Sequence, residues 1–334
     1  MGLMKTNVSS ALRGGPTDSP ENERAALRHN FLRSQGLDKV SAIPLPADAS
    51  QRCYFRLPNK LLMDAPPPHE STLSFQIMAE TLRDAGLNVP RIYASDHENG
   101  LLLIEDLGRL TFREAFQRRL SEDLLYGEVI NALTHLHKNV FENKSNLSFY
   151  SPELFLREVD LFLEWYGLFF SPQEKEDFRG LWTEAYHHQP PLPHSLVMRD
   201  VMFDNLIWVP SREGFRRCGF IDFQDGVWGP ITYDLVSLVE DARRDITPQF
   251  SKDMIEIYFK SFPDLNQQDF WASYNLWGAQ RCTKILGIFS RLAKRDNKPH
   301  YLPHLSRVRA LLQRNLSHPS LRALQKWFQA VNLW

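Results

Sequence analysis

The chain has little cysteine, no excess charge of either sign and no long apolar run. Its three cysteines, Cys53, Cys218 and Cys282, are odd in number and far apart, which argues against a disulfide framework or a cysteine zinc site. The net charge of -1 gives no general attraction to nucleic acid. No apolar stretch approaches the ~20 residues of a membrane helix, and the N-terminus lacks the apolar core of a signal peptide. We therefore expect a cytoplasmic protein with reduced thiols that binds neither nucleic acid nor membranes.

Length and composition indicate a folded enzyme of ordinary make-up. Hydrophobic residues make up 43% of the chain and charged residues 24%, which is the balance of a globular protein. With 334 residues, the chain is too long for one small core and suits two lobes or two domains. Residues 1–24 are rich in small, polar and charged side chains, so we predict a flexible tail there. Two lobes are predicted to follow, at 25–107 and 108–334.

The most informative segment lies beyond the middle of the chain. Asp200 and Asn205 stand at the D-x-x-x-x-N spacing of a kinase catalytic loop. Two apolar runs, 206–209 and 218–221, flank a turn-rich stretch and predict an antiparallel hairpin that ends at Asp222. In a hairpin the start of the first strand lies beside the end of the second, so Asn205 and Asp222 should meet next to Asp200. Their carboxylate and amide oxygens suit Mg²⁺ in the company of phosphates.

These residues also have an ordinary interpretation, since Asp and Asn are common in turns and each could merely cap one. The full order is harder to obtain by chance. An apolar strand leads to Arg199-Asp200, and the hairpin ends in Ile221-Asp222-Phe223. Because a motif counts only in its predicted structural context, we favour the catalytic interpretation.

The first predicted lobe has the element order of a kinase small lobe. A helix at 25–35 precedes possible strands at 43–45, 53–57 and 60–63. A second helix at 71–85 and paired strands at 91–95 and 101–105 complete it. The lobe should end at Glu105-Asp106-Leu107-Gly108, a segment that resembles the kinase hinge.

The predicted phosphate side of this lobe departs from the usual pattern. The turn that holds Ser50, Gln51 and Arg52 sits where kinases cover the ATP phosphates, yet it lacks G-x-G-x-x-G. The Ser50 hydroxyl and the Arg52 guanidinium could bind phosphate instead, although an ordinary hairpin turn is an equal alternative. The following strand carries a lysine only at its start, Lys60. Either Lys60 acts in an altered register, or Arg52 or Arg56 supplies the missing charge.

The second predicted lobe is mostly helical. One long helix is expected over 115–137, where apolar residues recur at helical spacing. Further helices are expected at 155–166, 175–187, 233–244, 252–262, 268–294, 305–316 and 320–331.

These motifs resemble the aminoglycoside phosphotransferase and choline kinase group. The group's loop usually reads H-x-D-x-x-x-x-N, and this chain departs from it at Met198. The resemblance implies that Asp200 orients and deprotonates the acceptor hydroxyl, while Asn205 and Asp222 hold the metal. Asp234 matches the start of a family helix. We expect it to support the catalytic loop rather than take part in the chemistry.

A closer resemblance is to bacterial kinases of the anomeric hydroxyl of amino sugars. It implies an α+β, protein-kinase-like, two-lobed fold with a small mixed first lobe and a mostly helical second lobe. It also implies transfer of the γ-phosphate of ATP to N-acetylmuramate or N-acetylglucosamine in cell-wall recycling. Departures occur at Met198, at Ala47, where glycine is usual, and at Cys53, where arginine is usual. The similar segments are 48–56, 63–67, 103–108, 164–166, 221–225, 284–292 and 295–299.

The same resemblance implies where the nucleotide binds. Its adenine edge should meet the backbone of 104–107, which makes Glu105 and Leu107 candidate nucleotide residues, and the cofactors should be ATP and Mg²⁺.

Four further residues are candidates for binding the sugar. Glu158 and Trp165 lie on a helix that stands beside the catalytic loop in the family, and Arg281 or Arg291 suits a sugar carboxylate. Each also has a plain structural interpretation. Trp165 could be core, and the charged residues could be solvated helix faces.

Two other functions are compatible with the sequence. A kinase for an aminoglycoside or a choline-like amine would need carboxylates near Asp200, which Glu158, Asp160 and Glu164 could supply. A non-catalytic, nucleotide-binding pseudokinase is suggested by Met198, the missing lysine and the loop without glycine.

Overall fold

The computed structural model describes residues 20–46, 52–68, 70–140, 147–167 and 169–333. The chain forms two compact units. The first holds the described residues up to Thr72 together with Tyr93–Ile104, and the second holds Leu73–Ile92 and everything from Glu105 onward. The changeover at Ile104 lies near the predicted lobe boundary, but the segment Leu73–Ile92 groups with the second unit. The lobe boundaries at 25–107 and 108–334 stay predictions.

The first unit is built on a five-stranded sheet. Its strands run in the order β1-β2-β3-β5-β4, and β2 pairs with β3 in antiparallel register, Cys53 opposite Asp64 and Leu57 opposite Lys60. Apolar side chains of α1, β2, β3 and β5 form its core. The elements as the chain reaches them are α1 (Pro20–Ser34), β1 (Ile43–Pro44), β2 (Cys53–Leu57), β3 (Lys60–Asp64), α2 (Thr72–Asp84), β4 (Ile92–Asp96) and β5 (Leu101–Glu105).

Helix α1 is tied to the end of β3 by charge. The buried Asp64 carboxylate accepts hydrogen bonds from Arg24 and, at 2.8 Å, from Arg28. A buried carboxylate needs such partners because desolvation otherwise disfavours it. The helix begins at Pro20, five residues before the helix predicted at 25–35, and the tail itself stays a prediction.

The second unit is helical apart from two small antiparallel strand pairs, β6 with β9 and β7 with β8. Buried aromatic and aliphatic residues of α5, α6, α9, α10 and α11 form its large core. Its elements are α3 (Phe112–Gln117), α4 (Glu122–Asn139), α5 (Pro152–Trp165), α6 (Pro172–His187), β6 (His194–Val197), β7 (Leu206–Trp208), β8 (Cys218–Phe220), β9 (Val227–Pro230), α7 (Thr232–Val239), α8 (Pro248–Lys260), α9 (Gln267–Lys294), α10 (Leu305–Leu316) and α11 (Arg322–Ala330).

Helices α5 and α9 pack unusually closely. A Cβ atom on Gly287 would lie 2.3 Å from the carbonyl carbon of Leu161, so only glycine permits this approach. Glu158 meets Lys284 before this crossing and Trp165 meets Lys294 after it, so the two helices run in the same direction.

Helix α2 packs within the second unit. The ring of Phe75 lies 5.0 Å from that of Phe223, and the Asn88 carbonyl accepts the Phe220 amide of β8 at 2.8 Å.

The prediction of one continuous helix over 115–137 is wrong, because the structure has two helices there, α3 and α4. Arg119 adopts a left-handed backbone with φ of 68°, which ends α3. Ser121 then caps α4 by accepting the Leu124 amide. Strand β9 was not predicted, since its short Trp-Gly-Pro run lacks strand alternation. Among the described residues, no helix is long and apolar enough to cross a membrane.

Candidate active site

The predicted catalytic aspartate lies on the loop that follows strand β6. Asp200 keeps 39% of its side chain exposed, whereas Met198, two residues earlier, is buried. Arg199 between them adopts a left-handed backbone with φ of 75°. Such a conformation costs a non-glycine residue ~1–3 kcal/mol and persists where surrounding contacts impose it. The loop is therefore held in shape from outside, and its carboxylate is open to a substrate.

Asp234, in the first turn of α7, provides part of that support. Its two carboxylate oxygens accept the backbone amides of Met198 at 2.7 Å and Arg199 at 2.9 Å. Burial, aided by the charge of Asp200, raises the pKa of Asp234 to about 7, although the two amides act in the opposite direction. The expectation that Asp234 supports the catalytic loop is thus matched by its contacts.

The hairpin of β7 and β8 brings Asn205 and Asp222 together as predicted. Leu206 pairs with Phe220 across the strands, and the Asn205 carbonyl accepts the Ile221 amide at 3.1 Å. The Asn205 side-chain amide donates to the Asp200 carbonyl at 2.9 Å and lies 3.4 Å from an Asp222 oxygen. The three residues form one cluster.

This cluster has the donor chemistry of a Mg²⁺ site. The Asn205 side-chain nitrogen faces the Asp200 carbonyl and an Asp222 oxygen, and the oxygen of the same amide is the atom with metal-donor chemistry. Asp222 has a left-handed backbone, φ 62°, and its carboxylate accepts the side-chain amide of Gln224 at 3.0 Å. Hard oxygen donors of this kind are what Mg²⁺ selects, so the residues present fit the ion.

Arg199 is anchored below the loop by a buried carboxylate. Its Nη2 donates to Glu158 of helix α5, and its Nη1 donates to the Asp225 carbonyl at 3.0 Å. Glu158 is 5% exposed. It lies at the centre of a polar cluster in the core of the second unit.

Three further donors converge on Glu158. They are the hydroxyl of Tyr150, the amide of Gln280 at 2.9 Å and the ammonium of Lys284 at 3.2 Å. Burial alone would raise the pKa of Glu158, but the charges of Lys284 and Arg199 and these hydrogen bonds lower it to about 2. The carboxylate is therefore ionised and fully engaged by the protein itself.

A second cation of α9 lies beside Asp200, the predicted catalytic residue. The Nη2 of Arg281 lies 3.6 Å from the Oδ1 of Asp200, and only 4% of the Arg281 side chain is exposed. Burial lowers the pKa of Arg281, but the charge of Asp200 and other neighbours outweigh it and raise that pKa above its usual value. The guanidinium is therefore charged.

The loop is fixed from its other side through Asp204. This carboxylate pairs with Arg113 of α3 and, at 3.2 Å, with Arg243, which follows α7. Burial would raise the pKa of Asp204, yet both guanidinium groups hold it below its usual range. The segment between Asp200 and Asn205 is thus pinned to two helical regions.

The predicted hinge segment rests on the same hairpin that carries Asn205 and Asp222. Leu107 packs in a small apolar cluster with Ile207, and Glu105 pairs with Arg212 at 3.0 Å. The backbone of 105–107 is therefore tied to β7, whose first residue follows Asn205.

Two of the three predicted phosphate residues, Ser50 and Gln51, lie outside the described residues. Arg52 is described, and its Nε lies 3.5 Å from Glu70, which stands just before α2. Protein kinases build a comparable pair from a strand lysine and a helix glutamate. Lys60 is placed differently, with its ammonium 5.0 Å from the centre of the Tyr93 ring.

Trp165 and Arg291 are not brought to the catalytic loop. Arg291 follows Arg281 by about 15 Å of helix axis. Trp165 ends α5 beyond the crossing with α9, where its carbonyl accepts Lys294 at 3.1 Å. Of the four predicted sugar residues, Glu158 and Arg281 lie by the loop. A sugar contact for any of them stays a prediction.

The sequence interpretation missed the residues that support this site. Arg113, Arg243 and Tyr150 belong to no motif, and Lys284 lies in a family-like segment but was given no role. The partners of Arg113, Arg243 and Lys284 are far away in the chain. The one available signal was a lysine and a glutamine on a helix that is otherwise rich in apolar residues.

Comparison with known proteins decides the family. The sequence profile of the Phosphotransferase enzyme family matches residues 41–272, more than half of the chain. The chain belongs to this family. A protein from Caulobacter vibrioides named N-acetylmuramate/N-acetylglucosamine kinase is 29% identical, with 92% of this chain and 96% of that protein covered. A kinase of the same name from Pseudomonas putida is 32% identical over 85% of this chain and 87% of its own length.

Solved structures agree on the fold. A choline/ethanolamine kinase family protein from Mesorhizobium loti superposes with a TM-score of 0.62 at 14% identity, covering 93% of this chain and all of that one. The predicted α+β, protein-kinase-like fold is confirmed, and the phosphotransferase family makes the chain a small-molecule kinase that uses a nucleotide.

Proposed function

We propose that this kinase transfers the γ-phosphoryl group of ATP to the anomeric hydroxyl of N-acetylmuramate or N-acetylglucosamine. The observation that carries the proposal is that Asn205 contacts both the backbone carbonyl of Asp200 and the carboxylate of Asp222. Two relatives whose names give these sugars as substrates add the acceptor class.

Asp200 is proposed to act as the base. The acceptor hydroxyl gives its proton to the carboxylate while its oxygen forms a bond to the γ-phosphorus. The bond from that phosphorus to the bridging oxygen breaks, and ADP leaves with the electron pair. Such a transfer depends mostly on positioning and charge. The contacts of Asp234 and Glu158 supply the positioning by fixing the backbone and side chain of Arg199.

Asn205 and Asp222 are proposed to hold Mg²⁺ together with the nucleotide phosphates. When bound, the ion neutralises charge on the phosphoryl oxygens. For the nucleotide itself we propose Ser50, Gln51 and Arg52 on the phosphates and the segment of Glu105 and Leu107 on the adenine edge. Support comes from the partly buried guanidinium of Arg52 and from the anchored backbone of 105–107.

The amine-kinase alternative loses its main support. A cationic substrate needs available carboxylates near Asp200, and Glu158 is saturated by four donors. Asp160 of the same helix pairs with Arg179 at 2.9 Å. The pseudokinase alternative fails with the family assignment. Met198 is buried, and its backbone amide donates to Asp234. A cytoplasmic location stays a prediction.

The proposal is tested with the purified chain, Mg·ATP and a panel of acceptors. N-acetylmuramate and N-acetylglucosamine should both be phosphorylated, and choline and an aminoglycoside should not. The control acceptor is the alditol made by reducing N-acetylglucosamine, which has lost the anomeric centre and should be inert. Turnover of the alditol at the rate of the sugar would contradict the anomeric assignment, and turnover of choline or the aminoglycoside alone would contradict the acceptor class.

A further inference from the structure

Arg281 is a buried cation in the middle of helix α9. The residue is 3% exposed, and the ion pair that the structure gives it is with Asp200, Nη2 to Oδ1 at 3.6 Å. Burying a guanidinium costs several kcal/mol unless an anion compensates it. The buried Arg281 guanidinium beside Asp200, the proposed base, therefore suggests a functional role for Arg281.

Arg281 is poorly placed to read a substrate carboxylate. Only 4% of its side chain is exposed, whereas Asp200 exposes 39%. Its Nε is buried and has no hydrogen-bond partner. Recognition of a carboxylate by arginine uses the planar fork of donors, which a ligand must be able to reach. Because the Arg281 side chain is buried beside Asp200, its placement favours an action on that carboxylate over direct contact with the sugar.

The neighbouring polar residues of α9 have a separate task. Gln280 and Lys284 both donate to Glu158, which in turn holds Arg199. One helix therefore reaches the catalytic loop twice, through Glu158 to the residue before Asp200 and through Arg281 to Asp200 itself.

We propose that Arg281 is a positioning residue that holds the Asp200 carboxylate in the orientation needed to receive the acceptor's proton, whatever the acceptor. This inference rests on the proposed function, because it takes Asp200 as the base. The separation of 3.6 Å marks a charge contact that is longer than a hydrogen bond.

The test compares Arg281→Gln and Arg281→Lys with the unmodified chain on both sugars. For Arg281→Gln we expect kcat to fall by about tenfold to a hundredfold with each sugar alike, the effect of losing one charged contact. KM for Mg·ATP and the melting temperature should stay close to their original values. Arg281→Lys should recover part of the loss, since it keeps the charge without the fork. The control is Arg295→Gln, an exposed arginine at the end of the same helix that pairs with its neighbour Asp296.

A double-mutant cycle shows whether Arg281 acts through Asp200. In the Asp200→Asn background, Arg281→Gln should lower the residual kcat no further, because the carboxylate it orients is gone. Independent, multiplicative losses would overturn the inference. So would a loss confined to N-acetylmuramate, which would make Arg281 a reader of the lactyl carboxylate. If Arg281→Gln does not fold, Arg281→Lys decides, and a kcat equal to that of the original chain overturns the proposal.

Measuring phosphoryl transfer from ATP to water distinguishes a failure of this inference from a failure of the proposed function. If the chain phosphorylates neither sugar, the proposed acceptor is wrong. Slow ATP hydrolysis without any sugar uses the same base on a water molecule, so it still reports on Arg281. A matching drop in hydrolysis in Arg281→Gln supports the inference, and unchanged hydrolysis overturns it.

Discussion

At the scale of single residues, Arg52, Arg56 and Lys60 are the cations predicted to compete for the role of the missing strand lysine, and Arg52 and Lys60 stand at opposite ends of one hairpin. Arg52 immediately precedes β2 at the end of the hairpin where Cys53 pairs with Asp64, while Lys60 pairs with Leu57 at the other end. The two ends are about 13 Å apart at the rise of a strand. Arg52 is paired with Glu70, whereas Lys60 lies over Tyr93.

We expect Arg52→Ala to weaken Mg·ATP binding and turnover more than Lys60→Ala does. A contact between arginine and phosphate is worth ~1.5–3 kcal/mol, which is roughly tenfold to a hundredfold in affinity. Calorimetric titration with Mg·ATP and steady-state kinetics measure both effects, and Lys60→Ala is the matched control. The reverse ordering would make Lys60 the phosphate-binding cation.

The metal assignment is also a residue-scale matter. Asp222→Ala should abolish the tightening of ATP binding by Mg²⁺, because the variant loses one of two proposed oxygen ligands. Titration of ATP with and without Mg²⁺ gives the answer, with Asp253→Ala, a change at an exposed residue of α8, as control. A Mg²⁺ dependence like that of the original chain would remove Asp222 from the site.

At the scale of elements, α5, α9 and the loop after β6 are joined through one carboxylate. Glu158 lies between the cations Arg199 and Lys284, and all three side chains are mostly buried. Removing one partner of a buried ion cluster leaves uncompensated charge, which costs ~3–5 kcal/mol. These elements therefore depend on Glu158 remaining ionised.

The low pKa of Glu158 predicts how its contribution to stability varies with pH. The pKa of Glu158 is about 2 in the folded chain, whereas the ordinary value for a glutamate, which applies to the unfolded chain, is 4.5. The stabilisation is therefore fully present above pH 4.5 and is lost as the pH falls toward 2. Glu158→Gln should lower the free energy of unfolding at pH 7, and the gap to the original chain should narrow below pH 4.5. Urea unfolding between pH 7 and pH 3 measures the gap.

The control for this series is Glu256→Gln, an exposed glutamate of α8 that pairs with Lys252. It should change stability little at any pH. A gap between Glu158→Gln and the original chain that stays constant down to pH 3 would mean that Glu158 is not the ionised centre of the cluster.

At the scale of the whole molecule, the parts of the site that the sequence predicted are those set by local spacing. Asn205 and Asp222 are joined by a short hairpin, so pairing alone brings them together. Helix α9 was likewise predicted within one residue, since its apolar residues recur with helical period.

The supporting contacts could not be predicted in the same way. Arg199 and Glu158 are 41 residues apart, and Lys284 and Glu158 are 126 apart. Which buried charges meet depends on how α5 crosses α9, and that crossing depends on one glycine, Gly287. The break in the helix predicted at 115–137 could not be predicted for a local reason, because the identity of Arg119 does not signal its left-handed backbone.

The account as a whole depends on Asp200 being the base of a phosphoryl transfer. The most direct measurement is kcat of Asp200→Asn with Mg·ATP and N-acetylglucosamine, taken beside the Kd for Mg·ATP. Asparagine keeps the shape of the side chain and cannot accept the proton. We predict that kcat falls by about two to four orders of magnitude, the worth of a positioned general base, while Kd and the melting temperature barely change. A kcat close to that of the original chain would contradict the account.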